Sequence, residues 1–221
     1  MNLLALETSS RRLSVALWHD REVIERSADS PDGGSALLLP WVRELLAEAG
    51  LGLAQLDGIA FGAGPGGFTG LRLAAGCAQG LAFGLDLPVV GIGSLAALAQ
   101  ASGEGRVFAC TDARMNEVYV AAYVDGMEVL APAVLPPERV LLPDGEGWVG
   151  CGDGFAVYAA ALPHPALVRP DVHPTAAAVA RLARLRLERG EGRPAAEAAP
   201  VYVRDKVAFT TAERLARGGS R

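Results

Sequence analysis

Long hydrophobic runs, lysine, histidine and cysteine are what this chain has least of. Its longest uncharged apolar run near the centre, Leu73–Leu85, has 13 residues, against the roughly 20 that a helix needs to span a bilayer, so no membrane contact is expected. Met1-Asn2 leads straight into a strand-like run, without a basic flank and apolar core ahead of it, and a cytoplasmic location is expected. Cys77, Cys110 and Cys151 are an odd number without metal-ligand spacing, which excludes a disulfide framework and reads as reduced core thiols. Of the histidines, His19 falls in a hairpin turn and His164 and His173 in proline-rich loops; no two share a helix face, so there is no zinc pair of the HExxH kind. No serine stands in a Gly-x-Ser-x-Gly elbow and no cysteine has a base partner, which leaves a peptidase without nucleophile or metal. Lys206 is the only lysine among 20 basic residues, and the net charge of −5 argues against autonomous nucleic-acid binding through a basic face.

What is present is apolar mass, 51% hydrophobic with a mean hydropathy of +0.26, organised around Asp57–Leu85. A short apolar run, Ile59–Phe61, leads into a loop with Gly62, Gly64, Gly66 and Gly67 around Pro65. An apolar segment, Phe68–Leu85, follows and is predicted as a helix. Strand, glycine loop and helix N-terminus is a geometry in which backbone N–H groups can meet an anion, with Gly64, Gly66, Gly67 and the Thr69 hydroxyl as the donors. The alternative is that the glycines only let the helix sit close to the sheet. Within the helix, Gly76, Gly80 and Gly84 form one stripe. Each costs roughly 0.8–1 kcal/mol against alanine, which makes sense where another backbone comes close, either the helix's own sheet or a second protein.

In chain order, Leu3–Leu6, Leu13–Trp18 and Glu22–Arg26 read as a three-stranded meander. Ser35 is expected to cap a helix over Ala36–Ala49, closed by Gly50. Its apolar positions, Leu38, Leu39, Val42, Leu45 and Leu46 with Leu37 and Trp41 beside them, are broader than one sheet face needs, so part of that stripe is expected to face a partner. Pro88–Ile92 is a strand and Ser94 a cap for a helix over Leu95–Ala101. A lobe boundary is placed after Gly103, giving residues 1–103 and 104–221. The opening pattern then recurs at a spacing of 104 residues, Leu4-Ala5-Leu6 against Phe108-Ala109-Cys110, which predicts a duplicated α/β unit. Trp148–Cys151 and Leu167–Val168 read as strands, Gly154–Ala161 as a helix, Ala176–Arg189 as a helix capped by Thr175, and Val201–Arg204 as a short extended piece before a frayed tail from Arg214.

Gly62-x-Gly64-x-x-Gly67 satisfies the dinucleotide fingerprint formally, but Asp86 precedes the next strand instead of ending it, which argues against nicotinamide or flavin. No Gly-Lys-Ser/Thr follows, so there is no Walker loop. Glu7, with Thr8 beside it, and Asp112 end the first strand of each lobe; they read either as turn caps or as carboxylates paired around magnesium in an ATP-dependent phosphotransferase.

Gly64-Pro-Gly-Gly-Phe-Thr-Gly-Leu-Arg72 resembles the GPGSFTGLR signature of the TsaB family of bacterial tRNA threonylcarbamoyladenosine biosynthesis proteins. Leu4-Ala-Leu-Glu-Thr-Ser9 resembles the family's opening strand and turn, Asp112-Ala-Arg-Met-Asn-Glu-Val-Tyr119 its DARxxEVY motif, and Pro200-Val-Tyr-Val-Arg204 its PxYLR tail. Two departures are present: Glu7 replaces the usual Asp of DTS, and Asp32–Pro40 lacks the histidine of RxHSxxLLP. The resemblance implies two ribonuclease-H-like lobes of the sugar-kinase/heat-shock/actin type. It further implies a non-catalytic scaffold paired with a TsaD-type catalytic paralogue, onto which a TsaE-type ATPase docks, with tRNA met only through the complex. Neither metal nor cofactor is expected in the isolated chain; ATP or ADP enters only with the complex. The implied pairing surface lies on the first two helices, at Leu38, Trp41, Val42, Leu45, Leu46, Leu73, Gly76, Cys77 and Gly80, and the same helices would serve a homodimer in the paralogue's absence.

Overall fold

The computed structural model describes residues 1–29 and 34–204. Asp32 and Gly33, and the tail from Arg214, lie outside the described residues. Leu3–Glu7 (β1), Arg12–His19 (β2) and Glu22–Asp29 (β3) form the expected meander, with Leu3 opposite Trp18 and His19 opposite Glu22. Asp20 and Arg21 turn the second hairpin at φ 48° and 68°, the positive angles that a tight two-residue turn requires. Gly58–Gly64 (β4) and Val89–Gly93 (β5) add in parallel on the other side of β1, giving the order β3-β2-β1-β4-β5.

The second half repeats this plan. Arg106–Arg114 (β6), Glu117–Val124 (β7) and Met127–Leu135 (β8) make another meander, and Val149–Cys151 (β9) and Leu167–Arg169 (β10) extend it in parallel, in the order β10-β9-β6-β7-β8. The two sheets are one unit used twice, as the 104-residue spacing predicts, and the fold is two ribonuclease-H-like lobes of the sugar-kinase/heat-shock/actin type.

Side chains of β1 alternate between two buried faces, and each face of its sheet has its own cover. On one, Leu4, Leu6, Val15 and Phe61 meet Leu38, Val42, Leu45 and Leu46 of Ser35–Glu48 (α1) and Ala74, Ala75, Ala78 and Ala82 of Phe68–Leu85 (α2). On the other, Leu3, Ala5, Ala16 and Ala60 meet Ala176, Val179, Ala180 and Ala183 of Ala176–Glu188 (α5). Thr175 caps α5 as predicted, its Oγ1 accepting the Ala178 N–H at 3.1 Å. Expectation and structure differ at two other caps. Gly34 and Gly93, not Ser35 and Ser94, hold the cap positions, and neither helix has a side-chain capping bond. Ser94 is drawn into the interior instead, 2% exposed.

The division after Gly103 separates the sheets but not the helices. Ser94–Ser102 (α3), from the first half, covers the second sheet, with Leu95, Leu98 and Ala99 on Val107, Ala109, Ala121 and Cys151. α5, from the second half, returns to the first. The helix expected over Gly154–Ala161 is only Gly154–Val157 (α4). Leu162 turns into the second core beside Phe155 and Trp148. Cys77 is half-buried and Cys110 and Cys151 are buried, all three free, with burial pushing the Cys110 thiol up to about 12. No helix of the described residues is long and apolar enough to cross a membrane.

The two sides of α1 make separable predictions. Leu45, fully buried, should cost about 2–5 kcal/mol on truncation to alanine, whereas Leu39, 47% exposed, should stay within about 0.5 kcal/mol. Chemical denaturation of Leu45→Ala and Leu39→Ala measures both.

Candidate partner-binding face and the closed glycine loop

β1 ends at Glu7 and passes into the Thr8–Ser9 turn; β4 ends at Gly64 and passes through Pro65 and Gly67 into α2. These two chain segments are in direct contact. A Cβ on Gly70 would lie 1.8 Å from the Thr8 carbonyl oxygen, and one on Gly66 would lie 2.5 Å from that of Ser9. Gly67 donates its N–H to the Ser9 carbonyl at 2.7 Å, and Thr8 Oγ1 donates to the Gly70 carbonyl at 2.6 Å. The Gly67 amide, one of the donors an anion would use, is thus committed to the Ser9 carbonyl. Thr69 is exposed, and Gly64, at φ +113°, is covered by Val201. Of the two readings open for the loop, this geometry favours close packing.

Glu7 is wholly buried. The Ser9 N–H donates to its Oε1 at 2.5 Å, while Oε2 has no partner. Gly62 makes the room: a Cβ there would lie 2.0 Å from Oε2. Burial pushes the Glu7 carboxyl above its ordinary range, against the opposing hydrogen bonds from Ser9 and Thr8. Asp112, in the second lobe, accepts the Arg114 N–H at 2.8 Å and the Tyr158 hydroxyl at 3.1 Å on Oδ1, and pairs with the Arg114 guanidinium at 3.0 Å through Oδ2. Of the two carboxylates that the sequence offers as a magnesium pair, Glu7 is sealed inside the first lobe and Asp112 is held by Arg114 and Tyr158 in the second. Among the described residues no three His, Cys, Asp or Glu side chains gather as a metal site. A concavity of about 560 Å³, open to solvent, lies elsewhere, between the β2–β3 hairpin and α5, and involves Trp18, Arg21 and Arg184.

The outward sides of α1 and α2 are a different matter. Gly76, Gly80 and Gly84 face solvent, and a Cβ on any of them would meet nothing within 4 Å. Their stripe therefore does not serve packing on the chain's own sheet, which Ala74, Ala75, Ala78 and Ala82 supply from the opposite side. Phe83, 79% exposed, lies on the same face one turn from Gly80. Leu73 and Cys77 are half-buried at its edge. On α1 the assignment of Leu38, Val42, Leu45 and Leu46 to a partner is corrected: all four are in the core, spaced to face the first sheet. The residues left outside are Leu37 at 36%, Leu39 at 47% and the half-buried Trp41. Phe83 was missed on sequence grounds although its signal was available, seven positions after Gly76 and hence on its face.

The fold and this face define a class: a duplicated ribonuclease-H-like protein whose glycine loop is closed by its own chain and whose helices present small and apolar residues outward. Residues 34–208 match the family described as TsaD, tRNA N6-adenosine threonylcarbamoyltransferase. The chain is similar to the tRNA threonylcarbamoyladenosine biosynthesis protein TsaB of Haemophilus influenzae, at 37% identity over 95% of this chain and 96% of that protein. With TsaB of Escherichia coli K12 it shares 35% identity over 95% of this chain and 97% of the relative. Among solved structures, YeaZ from Pseudomonas aeruginosa superposes with a TM-score of 0.86 at 45% identity, covering 91% of this chain and 99% of that one. This chain belongs to the TsaB/YeaZ family.

The sealed carboxyl makes its own prediction. Because its folded pKa is raised, the folded state holds the proton more tightly than the unfolded chain. Stability therefore falls as pH rises from the ordinary carboxylate range through the raised value. Glu7→Gln keeps an oxygen for the Ser9 N–H and removes the charge. It should stabilise the chain at pH 7 by removing the cost of burying or protonating a carboxylate, with the gain vanishing below about pH 4. Thermal melts across pH check this; equal melting temperatures at neutral pH would refute it.

Proposed function

We propose that this chain is a non-catalytic scaffold subunit in the formation of threonylcarbamoyladenosine at adenosine 37 of tRNA, a cytoplasmic process. It pairs with a TsaD-type catalytic paralogue through the outer faces of α1 and α2; a TsaE-type ATPase docks on the pair, and tRNA is met only in the assembled complex. In the paralogue's absence the same face serves a homodimer. The observation that carries this reading is the exposed stripe of Gly76, Gly80 and Gly84 with nothing within 4 Å. Three interior glycines on the solvent side of a helix cost the isolated chain about 2–3 kcal/mol in total, and a backbone approaching from another molecule accounts for them. The exposed Phe83, Leu37 and Leu39 add the apolar contact such an interface uses.

Sealed Glu7 and the occupied glycine loop support the absence of a nucleotide site in the isolated chain. The competing reading, an ATP-magnesium phosphotransferase built on Glu7 and Asp112, lacks a carboxylate free to reach a metal in the first lobe.

The test separates pairing from folding. Since the space above Gly80 is open, Gly80→Ala should raise the isolated chain's stability by about 0.4–1 kcal/mol. Gly80→Arg should leave its melting temperature unchanged or higher while abolishing co-purification with the paralogue at micromolar concentration. Retention of a stable complex by Gly80→Arg, in a sample shown to be folded, sinks the proposed face.

A further inference from the structure

The chain passes covalently between its lobes at two places, from α3 into β6 and from β10 into α5. After α5 it stays on the first lobe: Arg193 pairs with Val89, and Gln79 Nε2 donates to the Ala195 carbonyl at 3.3 Å. It then crosses a third time, within four residues. The Val201 N–H donates to the Ala63 carbonyl at 2.7 Å, at the end of β4. Tyr202 stacks on Phe68 of α2 with ring centres 6.1 Å apart, and its hydroxyl accepts from Arg72 Nε at 3.1 Å. Two residues on, Arg204 is held by the second lobe. Its Nη2 donates to Glu117 Oε2 at 2.5 Å and to the Ala113 carbonyl at 3.0 Å, and its guanidinium lies 5.9 Å from the centre of the Tyr119 ring. Only 12% of the Arg204 side chain is exposed, and the space left around this segment is about 40 Å³.

We propose that Val201–Arg204 is an interlobe clamp, a self-supplied Tyr-x-Arg peptide seated in the cleft between the glycine loop and the β6–β7 hairpin, which fixes the angle between the two lobes. The hairpin is shaped to receive it. Arg114, Met115 and Asn116 all have positive φ, 60°, 57° and 59°, and Asp112 holds the turn by accepting the Arg114 N–H. That arrangement presents the Ala113 carbonyl to the guanidinium, so Asp112 acts as a positioning residue for the clamp. A guanidinium is needed because one planar group must serve a carboxylate, a carbonyl and an aromatic face together, which an ammonium does not do. This inference rests on the contacts alone and stands independently of the proposed function.

Hydrogen exchange on the full chain tests it, because the arginine and the reporting amide lie on different lobes. In the unmodified protein the Val201 amide should be protected. Arg204→Ala, and from the other side Glu117→Gln, should accelerate its exchange about tenfold to a hundredfold, the worth of a charged hydrogen bond, with no change in the melting of either core. Arg204→Lys should restore little. A fluorescent peptide of sequence Pro-Val-Tyr-Val-Arg should bind Arg204→Ala more tightly than the unmodified chain, whose cleft is already filled. An unprotected Val201 amide in the unmodified protein, or one that exchanges as slowly in the two variants as in the unmodified chain, overturns the clamp; so does a peptide that binds all forms alike.

Discussion

The contact between the Thr8–Ser9 turn and the first turn of α2 is the constraint on which the rest of this molecule depends. With a Cβ on Gly70 only 1.8 Å from the Thr8 carbonyl oxygen, no other residue fits without moving the helix. The approach sets the depth of α2 on the sheet, so that its row of alanines touches the strands directly. A helix seated that deeply on one side has its opposite row fixed as well, and that row is Gly76, Gly80 and Gly84. Engaging the Gly67 amide with Ser9 and directing the glycine stripe outward are thus two results of one close approach.

Much of this was legible in the sequence, and for identifiable reasons. The meander, α2 and α5 each carry a period and a punctuating residue that agree, so their existence follows from local rules, whereas β4 runs on to Gly64 and β3 to Asp29, past the limits Phe61 and Arg26 that the pattern suggests. The duplication was legible because the spacing is preserved in two buried strands, each paired antiparallel with the strand that follows it. Serine at positions 35 and 94 misled because a glycine precedes each and takes up the non-helical conformation. On α1, three consecutive leucines, Leu37 to Leu39, hid the inward set; only the spacing through Val42, Leu45 and Leu46 marks Leu38 as the one that faces the sheet.

What was not legible is tertiary. No pattern in α3 or α5 says which sheet either will cover, since each is an apolar helix that would fit its own lobe as well. Glu7 reads from sequence as a turn cap or a ligand at a strand end, and only Gly62 across the sheet reveals it as a sealed group. The direction of the glycine stripe was likewise open until the alanines of the same helix were seen to take the sheet. Val201–Arg204 carries no periodicity, so its contacts with both lobes are invisible until the chain is folded.

The exchange of α3 and α5 bears on synthesis. The strands of the first sheet are complete by Gly93, yet the face carrying Leu3, Ala5 and Ala60 waits for alanines that begin at Ala176. While the ribosome makes the intervening residues, Ala97 and Ala101 of α3 are the cover available to that cluster, and the larger share, from α5, is still to come. The amino-terminal lobe cannot mature as an autonomous unit behind the exit tunnel. Its completion is deferred to the last stages of translation, and a ribosome stalled before α5 would leave an adhesive half-sheet in the cell.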